Sequence, residues 1–141
     1  VYIKGQEDKE LSSFLRYYPV RIKNIGMDAF FDRQVIYDFK DGRNHADVAK
    51  CVAKMLIKVV GERTAVHGTK VKKDEREKRL KEKNNIEVDA NFFKNKIVCI
   101  WDDVVTTGTS FCAYTAQLEQ VGAHVTNGIF LGKTSYKYVQ Q

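Results

Sequence analysis

The sequence predicts an α/β protein with a mostly parallel, twisted sheet flanked by helices, and two observations lead to this class. The uninterrupted apolar run Ile97–Trp101 is typical of a buried strand in a parallel sheet. A turn, a helix that Gly122 is placed to end, and a second predicted strand at Ala123–Leu131 follow it. Such a βαβ unit requires a right-handed crossover and parallel strands. The helical apolar stripe consists of Phe111, Tyr114, Leu118 and Val121.

The residues between this strand and its helix predict a site for a phosphorylated sugar. Two carboxylates, Asp102 and Asp103, come first, and the hydroxyl-rich turn Thr106–Ser110 opens the helix. The N-terminus of a helix offers unpaired N–H groups and the positive end of its dipole, which together favour phosphate. Carboxylates repel phosphate but accept hydrogen bonds from vicinal hydroxyls, or hold Mg²⁺ through water. An ordinary solvated turn with Ser110 as N-cap is the structural alternative.

The stretch DDVVTTGTS resembles the PRPP-binding motif of type I phosphoribosyltransferases, where PRPP is 5-phosphoribosyl 1-pyrophosphate. LEQVGAHVTNGIFLGKT is similar to the ComF-like branch of that family, and the clear resemblance covers Phe92 to Thr134. It implies that Asp102 and Asp103 hold the ribose hydroxyls at the catalytic centre. It also implies that the 5′-phosphate lies in a cradle made of Thr106, Thr107, Gly108, Thr109 and Ser110.

The resemblance further implies the activity and the domain layout. A member of this family transfers the phosphoribosyl group of PRPP to a nitrogenous acceptor, releases pyrophosphate and uses Mg²⁺, which PRPP and water hold with Asp102 or Asp103 as further candidates. Residues 44–141 would form the phosphoribosyltransferase-like core and residues 1–43 a hood-like segment that selects the acceptor, within a single domain. The acceptor is not named by any residue, and a homodimer stays open.

The pyrophosphate end of the predicted site is the part in which the chain departs from the family. No clear pyrophosphate loop follows the first core helix, although Gly61–Thr64 is a candidate for a reduced one. The charged run Val71–Lys83 is either a solvated helix or a mobile loop that closes over pyrophosphate. In the second interpretation the cations that meet the leaving group are Lys72, Lys73, Arg76 and Arg79.

Two further functional hypotheses remain open beside the transferase. The fold would serve a PRPP-sensing regulator or nucleic-acid-binding protein without turnover, or an interaction module that binds no PRPP. The net charge of +6 fits nucleic acid and a polyanionic small substrate equally well, and nucleic acid is not favoured. A response-regulator-like domain would need a phosphoacceptor Asp on another strand, and the sequence shows no such strand. It also contains no GxxxxGK[ST] run, which a Walker-type site requires.

Length and composition constrain the protein class. With 141 residues the chain is long enough for one domain with its own core. No segment is apolar for long enough to span a membrane, and its first residues do not resemble a signal peptide. Three cysteines lack the spacing of zinc or redox sites, Cys51 and Cys99 are predicted to be buried thiols, and a reducing cytoplasm is expected.

The amino-terminal third gives weaker signals. Glu10–Tyr18 is predicted to be a short helix that ends at Pro19, and Arg33–Phe39 a strand. Asp41-Gly42 predicts a turn, after which Asn44 is expected to cap a helix with a solvated His45 in its first turn. The apolar face of that helix is predicted to consist of Ala49, Val52, Ala53, Leu56 and Val60.

Two short segments outside the predicted site give further signals. Asn84-Asn85 is predicted to form a turn before a short strand at Ile86–Val88. Lys133 and Thr134 end the last clear strand, and a plain surface role is preferred for them over a place in the site.

Overall fold

The computed structural model describes the backbone of residues 1–60 and 88–139, and the side chains of residues 1–54 and 88–139. Several predictions lie outside these ranges, namely the reduced loop at Gly61–Thr64, the whole run Val71–Lys83 with its cations, the Asn84-Asn85 turn and, apart from Val88, the strand at Ile86–Val88. Lys72, Lys73, Arg76 and Arg79 therefore stay sequence-based predictions.

The described residues form three strands and four helices. In chain order they are β1 (Glu10–Tyr17), α1 (Met27–Lys40), α2 (His45–Val60), the single turn α3 (Ala90–Phe93), β2 (Ile97–Val105), α4 (Thr109–Gln120) and β3 (His124–Thr134). Within the described residues the sheet has the order β1-β3-β2, and β3 pairs in parallel with both neighbours. The predicted α/β class, with a parallel sheet flanked by helices, is confirmed.

Two hydrophobic clusters cover opposite faces of this sheet. Neighbouring residues of a strand point to opposite faces, and Phe130 and Leu131 of β3 belong to different clusters. On one face Phe130 packs with Phe111 and Leu118 of α4. The other face carries Leu131 and is covered by α1 and α2, through Ile36, Val48 and Val52. The sheet thus lies between two helical layers.

The predicted βαβ unit is present, with small shifts at its ends. Gly122 follows α4 at φ 93°, as expected for a residue that ends a helix. The first strand is longer than Ile97–Trp101, because it continues through Asp102 and Asp103 to Val105. It is half-buried rather than buried, and Ile97 keeps 52% of its surface exposed at an edge of the described sheet.

The helix predicted for Glu10–Tyr18 is wrong, because most of this segment forms strand β1. Leu11, Phe14 and Leu15 have a helix-like spacing. In the structure, however, Leu11 packs against the Phe130 cluster, while Phe14 and Leu15 pack against the Leu131 cluster. A strand with apolar partners on both faces loses the strict alternation that marks a half-exposed strand. β1 pairs with β3 from Glu10 to Tyr17, so residues 1–43 contribute a strand to the sheet.

The strand predicted for Arg33–Phe39 is also wrong, because these residues belong to helix α1. The buried positions of α1 are Ala29 and Ile36, two turns apart on one side. The exposed apolar residues Phe31 and Val35 obscure that period in the sequence. Arg33 extends back from the helix, and its guanidinium donates to the carbonyl groups of Tyr18 and Pro19 at 2.7 and 3.3 Å.

The predicted turn at Asp41-Gly42 and the helix that follows it are confirmed. Gly42 has φ 83°, and His45 is exposed, as expected. Asn44 precedes the helix at φ 58°, and its side-chain amide lies 3.5 Å from the carboxylate of Asp38.

The inward face of α2 differs from the prediction. It uses Val48 and Val52, whereas Ala49 and Ala53 are exposed, and the side chains of Leu56 and Val60 lie outside the described ones. Cys51 of α2 is also exposed, so its predicted burial is wrong. Cys99 is only partly buried. Among the described helices, none combines the length and hydropathy needed to cross a bilayer.

Candidate functional site

The turn between β2 and α4 is built around a glycine in the left-handed region. β2 ends at Val105, and Gly108, at φ 87°, is the N-cap of α4. Only glycine adopts this conformation without steric cost. A glycine N-cap has no side chain to bond the first N–H groups of the helix, and they therefore point out of its N-terminal end. The Gly108 carbonyl accepts the first helical bond, from the N–H of Cys112 at 2.9 Å.

A cleft of about 120 Å³ opens beside this turn. Its walls combine the turn with the carboxyl end of β2 and two aromatic side chains of the core. The lining residues are Asp102, Val104, Val105, Thr106, Thr107, Gly108, Thr109, Ser110, Phe111 and Phe130. Six of the seven residues predicted from the sequence to bind ribose and 5′-phosphate therefore meet in one concave site.

The two aspartates lie on opposite sides of β2. Asp102 lines the cleft and pairs in register with Phe130, and its Oδ1 accepts the N–H of Asp103 at 2.8 Å. Asp103 accepts the N–H of Val104 at 2.7 Å and lies 3.8 Å from the Nζ of Lys40, the last residue of α1. Since α1 covers the Leu131 face, the structure places Asp102 at the cleft and Asp103 toward α1.

Hydroxyl groups in the turn bond one another and the neighbouring strand. Thr107 and Thr109 are exposed, and their Oγ1 atoms are 2.9 Å apart. The Oγ1 of Thr106 lies 2.7 Å from that of Thr134. Thr106, Thr109 and Ser110 are exposed, whereas Gly108 is buried beneath them. The turn thus exposes small hydroxyl groups above the buried backbone of Gly108.

Lys133 and Thr134 contact the turn, in contrast to the surface role preferred from the sequence. Lys133 pairs in register with Val105, and its Nζ donates to the Thr106 carbonyl at 3.0 Å. Thr134 is 7% exposed and bonds the Thr106 hydroxyl. The signal was available, because adjacent parallel strands end at the same edge of a sheet, and polar residues at the end of β3 must lie near the end of β2.

Ile3 is a contact that sequence reasoning missed. Its side chain packs against Gly108, and a Cβ added to the glycine would lie 2.6 Å from Ile3 Cγ2. Ile3 is buried in the same cluster as Val105 and Phe111. No local pattern identifies this contact, because it joins the first residues of the chain to a turn far along the sequence.

The remaining ionisable groups near the Leu131 face include a tyrosine pair. The hydroxyls of Tyr17 and Tyr37 are 3.5 Å apart, and the Lys40 ammonium lies 5.9 Å from the centre of the Tyr17 ring. Burial, followed by the bond to Tyr37, raises the pKa of Tyr17 to about 12. Within residues 1–60 and 88–139, no three His, Cys, Asp or Glu side chains converge to hold a metal ion.

None of the protein-family models, curated proteins or solved structures compared with this chain matches it. The functional inference therefore rests on the fold, the cleft and the motif that the cleft contains.

Proposed function

We propose that this chain binds PRPP in the cleft between β2 and α4 and transfers its phosphoribosyl group to a nitrogenous acceptor. The observation that carries the proposal is the placement of one carboxylate, Asp102, and the uncapped N-terminus of α4 in the same cleft. A 5′-phosphate at the turn would meet backbone N–H groups of Thr109–Phe111 and the hydroxyls around them. The ribose hydroxyls would then face Asp102.

The finer fold assignment, to the type I phosphoribosyltransferases of the ComF-like branch, is part of this proposal. It is supported by the parallel β2-α4-β3 unit, the left-handed glycine, and the order of acidic and hydroxyl residues along the chain. The hood-like role of residues 1–43 stays a prediction, since it concerns an acceptor that the fold does not identify.

Charge development in the reaction explains what the residues of the cleft would do. The anomeric carbon gains oxocarbenium character as pyrophosphate departs, and a nearby carboxylate stabilises that positive charge. Fixing the phosphate at one end and the ribose hydroxyls at the other aligns the anomeric carbon with the incoming nitrogen. The carboxylate of Asp102 is the residue in the cleft placed to serve both the hydroxyls and the charge.

The donor set of the cleft fits a Mg²⁺ ion that arrives with the substrate. Mg²⁺ keeps several waters and is commonly held by one or two carboxylates together with substrate phosphates. Asp102 supplies one carboxylate at the cleft, whereas Asp103 lies on the opposite side of β2, toward Lys40. Mg²⁺ would neutralise charge on the departing pyrophosphate.

Calorimetric titration with PRPP and MgCl₂ tests the proposal. Wild-type protein should bind in the micromolar range, and the Asp102→Asn/Asp103→Asn variant should lose that binding. An Asp41→Asn/Asp47→Asn variant removes the same charge at two exposed positions outside the cleft and should bind normally. Unchanged binding by the Asp102/Asp103 variant would refute the site.

The same preparation separates turnover from sensing. Release of pyrophosphate with any member of a panel of nitrogenous bases and amines would establish transfer. Tight PRPP binding without release across the panel would support a PRPP-sensing protein, and a folded wild type without PRPP binding would leave an interaction module.

A further inference from the structure

The proposed phosphate turn is held by two residues of the neighbouring strand, and both contact Thr106. The Nζ of Lys133 lies 3.0 Å from the carbonyl oxygen of Thr106 and 3.5 Å from that of Thr134. The Thr134 hydroxyl lies 2.7 Å from the Thr106 hydroxyl. β3 therefore bonds both the main chain and the side chain of the first residue of the turn.

The bond from Lys133 fixes the plane of one peptide group. The carbonyl of Thr106 and the N–H of Thr107 belong to the same planar unit, which is trans, so they point in opposite directions. With the carbonyl held on Lys133, the Thr107 N–H points away from the Lys133 ammonium. Thr106 and Thr107 both line the cleft, so this orientation decides whether the turn presents a donor or an acceptor there.

The charge of Lys133 also strengthens that donor. A bond from an ammonium group to a carbonyl is charge-assisted and therefore stronger than a neutral one. Hydrogen bonds in series polarise one another, and a carbonyl that accepts from a cation makes the N–H of its own peptide a better donor. A flipped peptide would instead direct a carbonyl oxygen at an anionic ligand, which repels it.

We propose that Lys133 is a positioning residue for the phosphate site: it anchors the Thr106–Thr107 peptide so that the Thr107 N–H is available to the 5′-phosphate. This inference rests on the proposed function, because it assigns the ligand of the turn as a sugar phosphate. Lys133 acts through the Thr106–Thr107 peptide, and Thr134 restrains the side chain of Thr106.

The test uses Lys133→Met, with Lys133→Arg as the conservative variant and Lys50→Met as the charge control. Lys50 is exposed on α2, away from the cleft, and its replacement removes the same charge. Titration with ribose 5-phosphate should show about tenfold weaker binding for Lys133→Met, as expected for the loss of a bond to a charged group. Lys133→Arg should recover part of the affinity, and Lys50→Met should bind like wild type.

A second readout separates positioning from a general loss of stability. In ¹⁵N-labelled protein without ligand, the amide resonance of Thr107 should move in Lys133→Met and stay near its wild-type position in Lys133→Arg. The thermal midpoint of each variant shows whether it is folded. Wild-type affinity in Lys133→Met, an equal loss in Lys50→Met, or an unmoved Thr107 resonance would each overturn the proposal.

These titrations also distinguish a failure of the proposed function from a failure of the role assigned to Lys133. If wild-type protein binds neither ribose 5-phosphate nor PRPP, the proposed function fails, and the assignment of Lys133 to a phosphate site fails with it. If wild type binds and Lys133→Met binds equally well, the function stands and only the role of Lys133 is overturned.

Discussion

Ile3 and Gly108 are packed so closely that the glycine has no room for a side chain. A Cβ on Gly108 would lie 2.6, 2.8 and 2.9 Å from three side-chain carbons of Ile3. Gly108 also has φ 87°, where residues with a side chain are strained. Ile3, which precedes β1, thus packs against the buried side of the turn. Position 108 requires glycine because of its backbone conformation and because Ile3 leaves no space for a side chain.

Gly108→Ala is therefore expected to destabilise the protein more than the same change at another left-handed glycine. Gly42→Ala is the matched control, because Gly42 has φ 83° and no atom of the described residues lies within 4 Å of its added Cβ. Backbone strain costs about 1–2 kcal/mol at both sites. Overlap with Ile3 should add about 1–3 kcal/mol at Gly108 alone, measured by urea unfolding.

The double variant Ile3→Ala/Gly108→Ala identifies the source of the extra cost. It should be more stable than the sum of the two single changes predicts, because the smaller residue makes room for the new Cβ. Equal losses at Gly108 and Gly42, or strict additivity in the double variant, would show that the contact with Ile3 does not restrict this position.

The two aspartates of β2 should differ when they are replaced singly. Asp102→Asn is expected to weaken binding of PRPP with Mg²⁺ about tenfold or more, because it removes a charged acceptor from the cleft. Asp103→Asn should change binding less, since this residue lies toward Lys40 and an asparagine can still accept the N–H of Val104. Calorimetry on both variants makes the comparison, and equal losses would contradict the assignment of Asp102 as the cleft residue.

Stability measurements give the complementary result for the same pair. The Lys40–Asp103 pair is partly exposed, with 39% and 19% of the side-chain surfaces accessible, so solvent screens it. A double-mutant cycle with Lys40→Met and Asp103→Asn should yield a coupling below about 1 kcal/mol. A larger coupling would mean that the pair is a structural element of the fold rather than a surface contact.

The parts of the fold that the sequence predicted are those whose signals are local. The turn Thr106–Ser110 lies between an apolar strand and an amphipathic helix, and these three signals fall within one continuous stretch. Gly122 likewise marks the end of α4 through its own conformation. Periodicity and turn chemistry are sufficient for such a unit because each element is defined by its own residues.

The parts that the sequence did not predict depend on contacts between distant segments. Leu11 and Phe14 of β1 pack against clusters on opposite faces of the sheet, so the strand lacks a strict alternation of apolar and polar residues. Ile3 reaches the turn only through the tertiary fold. Lys133 was within reach of inference, since its register partner Val105 follows from pairing β2 with β3 in parallel.

A close contact between α1 and β3 yields a stability prediction outside the cleft. A Cβ on Gly132 would lie 2.6 Å from Ile36 Cδ1, whereas the next nearest atoms are at 3.5 and 3.6 Å, an ordinary contact distance. Gly132→Ala should therefore lower the free energy of unfolding by about 1–3 kcal/mol. Ile36→Val removes the one obstructing atom, and Gly132→Ala/Ile36→Val should be more stable than additivity predicts. Denaturant unfolding of the four proteins decides the question, and an additive cycle would disprove the contact.

Tyr17 should make the protein lose stability in alkaline solution over a defined range. Burial and the bond to Tyr37 raise its pKa to about 12 in the folded state, against an ordinary value of 10.0. Between these values the unfolded chain has released the phenol proton while the folded protein retains it, so the unfolded state binds fewer protons and stability falls as pH rises. The contribution is complete below pH 10 and is lost as the pH approaches 12.

Denaturant unfolding across this range should show a shallower decline for Tyr17→Phe than for wild type. Tyr136→Phe, which removes an exposed phenol, should decline as wild type does. If Tyr17→Phe declines as steeply as wild type, the phenol is not held in its protonated form by the fold.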